Sequence, residues 1–177
     1  GCKVLGWRDV PTNPDAIGRD ARKVMPRIRQ CFIATKDTKS AKESGGKEDS
    51  SFERRLYVIR RQIEKATKKT YVCSCSARTI VYKGLLLATQ IERFYPDLSD
   101  PDFVTPFAIV HQRYSTNTFP SWELAHPFRA IAHNGEINTV RGNRNWMAAR
   151  EGMLSSELLG ELTPLLPVCT PGGSDSG

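Results

Sequence analysis

Polar side chains of several chemical types are concentrated in residues 111–145. Two short apolar runs, 107–110 and 128–132, are each followed by polar residues, at 111–118 and 133–138. Runs of this length suit strands that are buried on both faces. Because buried strands fix the residues at their ends, these polar groups are expected to converge on one ligand.

Two charged residues are candidates for holding a ligand that carries both signs of charge. Arg113 follows the first apolar run, and its planar guanidinium suits a carboxylate. Pairing with an internal Asp or Glu is an equally good interpretation of this residue alone. Ser174-Asp175 offers an anion for a ligand ammonium, although an exposed turn is the simpler interpretation.

His133-Asn134-Gly135 also has two interpretations. Asn-Gly is a strong signal for a tight turn. The glycine would also let the backbone approach a ligand, and the Asn carboxamide beside a Gly N–H would supply two donors for an oxyanion. On its own the tripeptide favours the turn.

The elements that must position these residues are strands in the middle of the chain with helices on either side, which predicts a mixed α+β domain. A helix over 52–66 is indicated by one apolar stripe, with Arg54, Arg61, Lys65 and Lys68 on its other face. The predicted elements are strands at 4–10, 29–34, 107–110 and 128–132, helices at 15–24, 52–66, 88–95 and 138–152, and a β-hairpin over 70–86.

Composition sets further bounds on the 177 residues. Residues 35–51 are charged and of low complexity, which predicts a solvated insertion. The net charge of +7 raises the alternative of a basic nucleic-acid-binding module, but no nucleic-acid motif accompanies it.

There is no apolar run of the roughly 18–20 residues that span a bilayer, and no signal peptide. The five cysteines lack disulfide or zinc spacing, which favours a reducing compartment and no metal site.

Taken in order, Arg113 with Thr116, then Asn134-Gly135, then Ser174-Asp175 resemble the glutamine-binding set of class II glutamine amidotransferases, which are N-terminal nucleophile hydrolases. The segments GWRDVPTNP, HQRYSTNTFPSWELAHPFRAIAHNGEIN and RGNRNWMAAREG resemble, more narrowly, the amidotransferase domain of glutamate synthases. The resemblance extends from about Val4 to Asp175, and residues 35–51 carry none of it.

The resemblance implies a four-layer αββα sandwich, incomplete at both ends, with residues 1–177 forming a partial amidotransferase domain. It implies that Arg113 and Thr116 hold the α-carboxylate of glutamine, and that Asp175 and the Gly135 backbone hold its α-ammonium. Asn134 and Gly135 would form the oxyanion hole.

The family's nucleophile is an N-terminal Cys, and Cys2 is a poor candidate because Gly1 precedes it and Lys3 follows it. We therefore expect an internal piece of a longer protein that is inactive alone.

The resemblance further implies that the released ammonia aminates 2-oxoglutarate to L-glutamate in the remaining synthase domains. FMN and an iron–sulfur cluster are expected in the full-length enzyme, with no cofactor in this chain, and a reductase subunit or domain is a possible partner. No nucleic acid or membrane is expected, and the compartment is the cytoplasm or an organelle interior. An amidotransferase serving another acceptor, such as a sugar phosphate, remains an alternative.

Overall fold

The computed structural model describes residues 2–35, 47–114, 118–128, 131 and 139–173. The strands are β1 (Cys2–Asp9) and β2 (Arg29–Thr35), and the helices are α1 (Arg19–Lys23), α2 (Lys47–Ala66), α3 (Ile91–Phe94) and α4 (Val140–Glu151). Short 3₁₀ turns lie at Pro14–Ala16, Ala88–Gln90, Pro96–Ser99 and Thr163–Leu165.

The two strands form an antiparallel pair, as the β-branched and aromatic residues of both segments predict. The register pairs Cys2 with Thr35 and Asp9 with Arg29, and it shifts at Leu5, where an extra residue forms a bulge. Cys2 is thus a strand residue, and β1 begins two residues before the predicted strand at 4–10. The Arg27 guanidinium donates twice to Asp9, at 3.0 Å, and holds the pKa of that carboxyl below its usual range.

The core lies where the loop after β1 meets α3 and the segment around Trp122. Phe94 is completely buried, and its ring packs edge-on against Tyr95 at a centroid distance of 4.6 Å. Trp122 closes the other side of Phe94 and donates its indole N–H to the Ala21 carbonyl at 3.2 Å. This core ties the N-terminal segment to Trp122, about 100 positions away along the chain.

Helix α2 confirms the predicted helix and begins earlier, at Lys47 within the charged insertion. Its apolar stripe buries Leu56, but Ile63 at the other end of the stripe is exposed. Arg61 was placed on the solvated basic face, and that placement is wrong because the side chain is buried. Its guanidinium donates to the Leu165 carbonyl at 3.1 and 3.2 Å and to the Pro167 carbonyl, which fastens the 163–167 segment to the helix.

The hairpin predicted for 70–86 is wrong, because these described residues form no strand. The chain does reverse direction, but side chains hold the turn instead of a backbone ladder. Glu53 of α2 accepts from the Ser76 hydroxyl at 2.8 Å and from the Ala77 N–H at 2.6 Å. The Ser76 hydroxyl in turn accepts from the N–H groups of Arg78 and Thr79 at 3.0 and 3.2 Å.

The buried strand predicted for 107–110 is also wrong in this structure. Phe107 is 70% exposed and Val110 is 83% exposed, and neither lies in a strand. The second predicted strand, 128–132, falls partly outside the described residues. In the described part of the chain, one two-stranded sheet is therefore the part of the expected four-layer sandwich that is observed.

Candidate functional site

Arg113 is the one predicted site residue that the structure describes, and its side chain is exposed. Its backbone N–H donates to the Nδ1 atom of His111 at 3.2 Å. Among the described residues Arg113 forms no ion pair with an Asp or Glu, so the alternative of a structural ion pair has no support there.

The other predicted site residues lie outside the described residues. They are Thr116, Asn134, Gly135 and Asp175. Their roles as carboxylate, oxyanion and ammonium partners stay predictions.

A stack of rings joins His111, in the first polar segment, to Phe128, which begins the second apolar run. The His111 ring lies against the His126 ring at a centroid distance of 4.4 Å, and His126 contacts the edge of Phe128 at 5.0 Å. Residues 111–113 therefore lie beside the beginning of the 128–132 segment. The predicted convergence of residues 111–118 with residues 133–138 stays a prediction, because residues 133–138 lie outside the described residues.

Lys83 belongs to the same region, and the sequence analysis did not single it out. Its side chain is buried, and its ammonium donates to the Tyr71 hydroxyl at 2.7 Å and to the Glu123 carbonyl at 2.9 Å. The ammonium also lies over the Phe128 ring, 4.2 Å from its centroid. A single Lys between Tyr82 and Gly84 gives no sequence signal that distinguishes it from an exposed lysine.

Burial controls the protonation of this group. The pKa of Lys83 is lowered to about 8, mainly because the ammonium is desolvated by burial. The nearby Arg60 charge also lowers the pKa, whereas Cys73 and Glu123 raise it. Desolvation likewise raises the pKa of Tyr71 well above its usual value. Near neutral pH the tyrosine is therefore a neutral hydroxyl that accepts from a charged lysine.

The whole chain matches one protein family in sequence. The profile of the class II glutamine amidotransferases matches residues 1–177. The chain belongs to the class II glutamine amidotransferases. The order of Arg113, Asn134-Gly135 and Ser174-Asp175 led to the same family.

The relatives that this chain resembles in sequence are glutamate synthases. The chain is 50% identical over 183 residues to the large chain of the NADPH glutamate synthase of Azospirillum brasilense, and 52% identical over 181 residues to that of Bacillus subtilis strain 168. It is 47% identical over 183 residues to a chloroplastic ferredoxin-dependent glutamate synthase of Oryza sativa subsp. japonica. These alignments cover 99–100% of the chain and 11–12% of each relative, so the chain spans about one-ninth of their length.

The basic helix face that motivated the nucleic-acid alternative is largely engaged within this amidotransferase chain. Arg61 is buried against the 165–167 carbonyls, and Lys65 donates to the Thr163 carbonyl at 3.2 Å. Arg60 pairs with Glu64 at 2.8 Å. A phosphate backbone needs accessible cations; of the four cations on this face Arg61 is buried, whereas Lys65 and Lys68 are exposed.

No metal or membrane feature emerges from the part of the chain that the structure describes. Within these residues no three His, Cys, Asp or Glu side chains are grouped as a metal site would require. The described helices include none that is long and apolar enough to cross a membrane. The described residues therefore do not fit an iron–sulfur cluster.

Proposed function

We propose that this chain is the glutamine-hydrolysing part of a glutamate synthase. The supporting observation is the match of its full length to synthases of three organisms, two bacteria and a plant, at 47–52% identity. The exposed guanidinium of Arg113, which follows the stacked His111 ring, agrees with a role in binding a carboxylate.

The reaction converts glutamine and water to glutamate and ammonia. Arg113 and Thr116 would bind the α-carboxylate, and Asp175 with the Gly135 backbone would bind the α-ammonium. A zwitterionic amino acid needs one anchor of each sign, and a bidentate Arg–carboxylate pair is among the stronger charge-assisted contacts. The Asn134 amide and the Gly135 N–H would donate to the oxyanion of the tetrahedral intermediate, where such donors lower the barrier most.

The thiolate of an N-terminal Cys would attack the carboxamide and displace ammonia, and water would then release glutamate. Cys2 follows Gly1 and lies paired in β1, so it does not supply a free α-amine beside its thiol. We infer that the 177 residues bind glutamine without hydrolysing it.

The longer protein would use the ammonia to aminate 2-oxoglutarate, with electrons supplied through FMN and an iron–sulfur cluster bound elsewhere in its length. Remaining synthase domains, and a reductase subunit or domain, would be the partners. The cytoplasm or an organelle interior is the compartment we propose, because all five cysteines are free thiols.

We also propose that residues 1–177 form part of a four-layer αββα sandwich that carries the 35–51 insertion. The apolar side chains of Phe107 and Val110 support this, since their exposure leaves apolar surface that further layers would cover.

Substitution of Arg113 tests the proposed binding site. We expect Arg113→Ala to weaken glutamine binding by about 10- to 100-fold, because a charge-assisted bidentate contact is lost. The affinity of Arg113→Lys for glutamine should fall between those of the original chain and of Arg113→Ala, since an ammonium cannot form the planar fork of a guanidinium. Isothermal titration calorimetry with L-glutamine measures the affinity of each variant.

Arg93→Ala is the matched control, because Arg93 is exposed on α3 and should leave the affinity unchanged. An unmodified chain that binds no glutamine, or an Arg113→Ala chain that binds it as well as the original, would contradict the proposal. Binding of DNA that weakens steeply with salt would instead favour the nucleic-acid alternative.

A further inference from the structure

The peptide that carries Arg113 is fastened to the Lys83–Gly84 dipeptide through the next residue, Tyr114. The Tyr114 hydroxyl donates to the Ser121 carbonyl at 2.8 Å and lies 3.5 Å from the Gly84 carbonyl. Tyr114 is partly buried while Arg113 beside it is exposed. The two adjacent side chains therefore serve different purposes, one directed into the protein and one to the solvent.

Gly84 has no room for a side chain, which makes it a rigid point of attachment. A Cβ atom at this position would lie 2.4 Å from Cζ3 and 2.8 Å from Cε3 of Trp122. The Trp122 ring belongs to the core beside Phe94. Gly84 is thus held against the most buried part of the molecule.

Lys83 holds the same loop from its other side. Its ammonium donates to the Glu123 carbonyl at 2.9 Å, two residues beyond the Ser121 carbonyl that accepts from Tyr114. Its own carbonyl accepts from the buried Tyr95 hydroxyl at 2.8 Å. The 121–123 loop, the 83–84 dipeptide and Tyr114 therefore form one hydrogen-bonded unit attached to the core.

The Tyr114 hydroxyl is a neutral donor throughout the working pH range. Burial raises the pKa of Tyr114 to about 12, with a further contribution from the Glu123 carboxylate. The Tyr114 hydroxyl therefore keeps its proton near neutral pH and can donate it to the Ser121 carbonyl.

We propose that Tyr114 is a positioning residue that fixes the backbone of Arg113 for binding the ligand carboxylate, by joining it to Ser121 and Gly84. The proposal rests on the proposed function, in which Arg113 binds the α-carboxylate of glutamine. The backbone N–H of Arg113 also donates to the ring of His111, two residues earlier in the chain. A binding residue whose backbone is already fixed loses less conformational freedom when the ligand binds.

A double-mutant cycle with Tyr114→Phe and Arg113→Ala tests this role in the full 177-residue chain. Tyr114→Phe alone should weaken L-glutamine binding by about three- to tenfold, the size of effect typical of one lost hydrogen bond. Added to Arg113→Ala it should weaken binding no further, because its effect acts through Arg113.

A second ligand separates positioning from general loss of structure. 4-Aminobutanamide is glutamine without its α-carboxylate, and its binding should be unaffected by Tyr114→Phe. Tyr82→Phe is the matched control, since it removes another partly buried hydroxyl, which donates to Asp97 at 2.9 Å and not to the 121–123 loop. It should leave the affinities for both ligands unchanged.

The outcomes separate the inference from the function on which it rests. If Arg113→Ala leaves glutamine binding unchanged, the proposed function fails. If Arg113→Ala weakens binding but Tyr114→Phe does not, or if the two effects add in full, the positioning role is overturned. An equal loss of affinity for glutamine and 4-aminobutanamide in Tyr114→Phe also overturns it, because that pattern indicates a structural role.

Discussion

The charge of Lys83 depends on the groups that surround its buried ammonium. Its side chain is 7% exposed, yet its ammonium has two hydrogen-bond acceptors and lies over two aromatic rings, Tyr71 and Phe128. These contacts offset part of the desolvation of the charge, and the lowered pKa shows that desolvation remains the larger effect. Lys83 therefore connects protein stability to pH.

The sign of this dependence follows from the two pKa values. The pKa is about 8 in the folded chain and 10.5 for an ordinary lysine, so between these values the unfolded chain binds more protons. The free energy of unfolding should therefore rise with pH over this window. From pH 7.5 to 9.5 we expect a gain of about 1–2 kcal/mol relative to Lys83→Met, at 1.36 kcal/mol per pKa unit.

Urea unfolding at several pH values measures this difference. Lys69→Met is the control, because Lys69 is exposed and its loss should leave the pH dependence as in the original chain. Parallel pH profiles for the original chain and Lys83→Met would show that Lys83 stays charged throughout the window.

At the scale of elements, α2 acts as a support for two segments that have no regular structure. Near its N-terminal half Glu53 holds the turn at 76–79, and further along Arg61 holds the 163–167 segment. Both contacts use charged side chains on carbonyl, hydroxyl or N–H groups. A helix whose charges look solvated in the sequence thus organises the loops around it.

Loss of Arg61 should destabilise the chain. Arg61→Met keeps the apolar stem but leaves the Leu165 and Pro167 carbonyls without their donor, so we expect a loss of about 1–3 kcal/mol in the free energy of unfolding. Thermal and urea unfolding measure it. Lys68→Met, beyond the helix and exposed, should change the stability by less than about 0.5 kcal/mol. Equal stabilities for the two variants would contradict this account.

At the scale of the whole molecule, the core is small and much apolar surface is exposed. Phe94, Tyr95 and Trp122 are buried together, whereas Val104, Phe107 and Val110 of the 103–110 segment are 87%, 70% and 83% exposed. In the αββα sandwich that we propose, the 107–110 residues would be covered by further layers. The chain accounts for only 11–12% of the length of its relatives.

Amide hydrogen exchange tests whether residues 107–110 are uncovered in this chain and become covered in a longer synthase. In the 177-residue chain we expect residues 107–110 to exchange fast, since the structure records no backbone hydrogen bond donated by them within its described residues. The Tyr95 N–H, which donates to the Ile91 carbonyl at 2.9 Å, should exchange slowly. In a longer synthase that includes this segment, 107–110 should become protected. Equally slow exchange at 107–110 and Tyr95 in the chain alone would show that these residues already lie in a sheet.

The sequence by itself determined the family, both strands of the sheet, and helices α2 and α4. These depend on residue type, spacing and periodicity, which the sequence displays directly. It gave the wrong environment to Arg61, Ile63 and the 107–110 run, because burial depends on what packs against a residue.

Only the tertiary structure identified Lys83, Gly84 and Tyr114 as one hydrogen-bonded unit. The contacts of this unit join residues 30–40 positions apart, such as Lys83 with Glu123 and Tyr114 with Gly84. No local pattern records such a pairing, since a lysine or a tyrosine looks the same in sequence whether it faces solvent or holds a loop against the core.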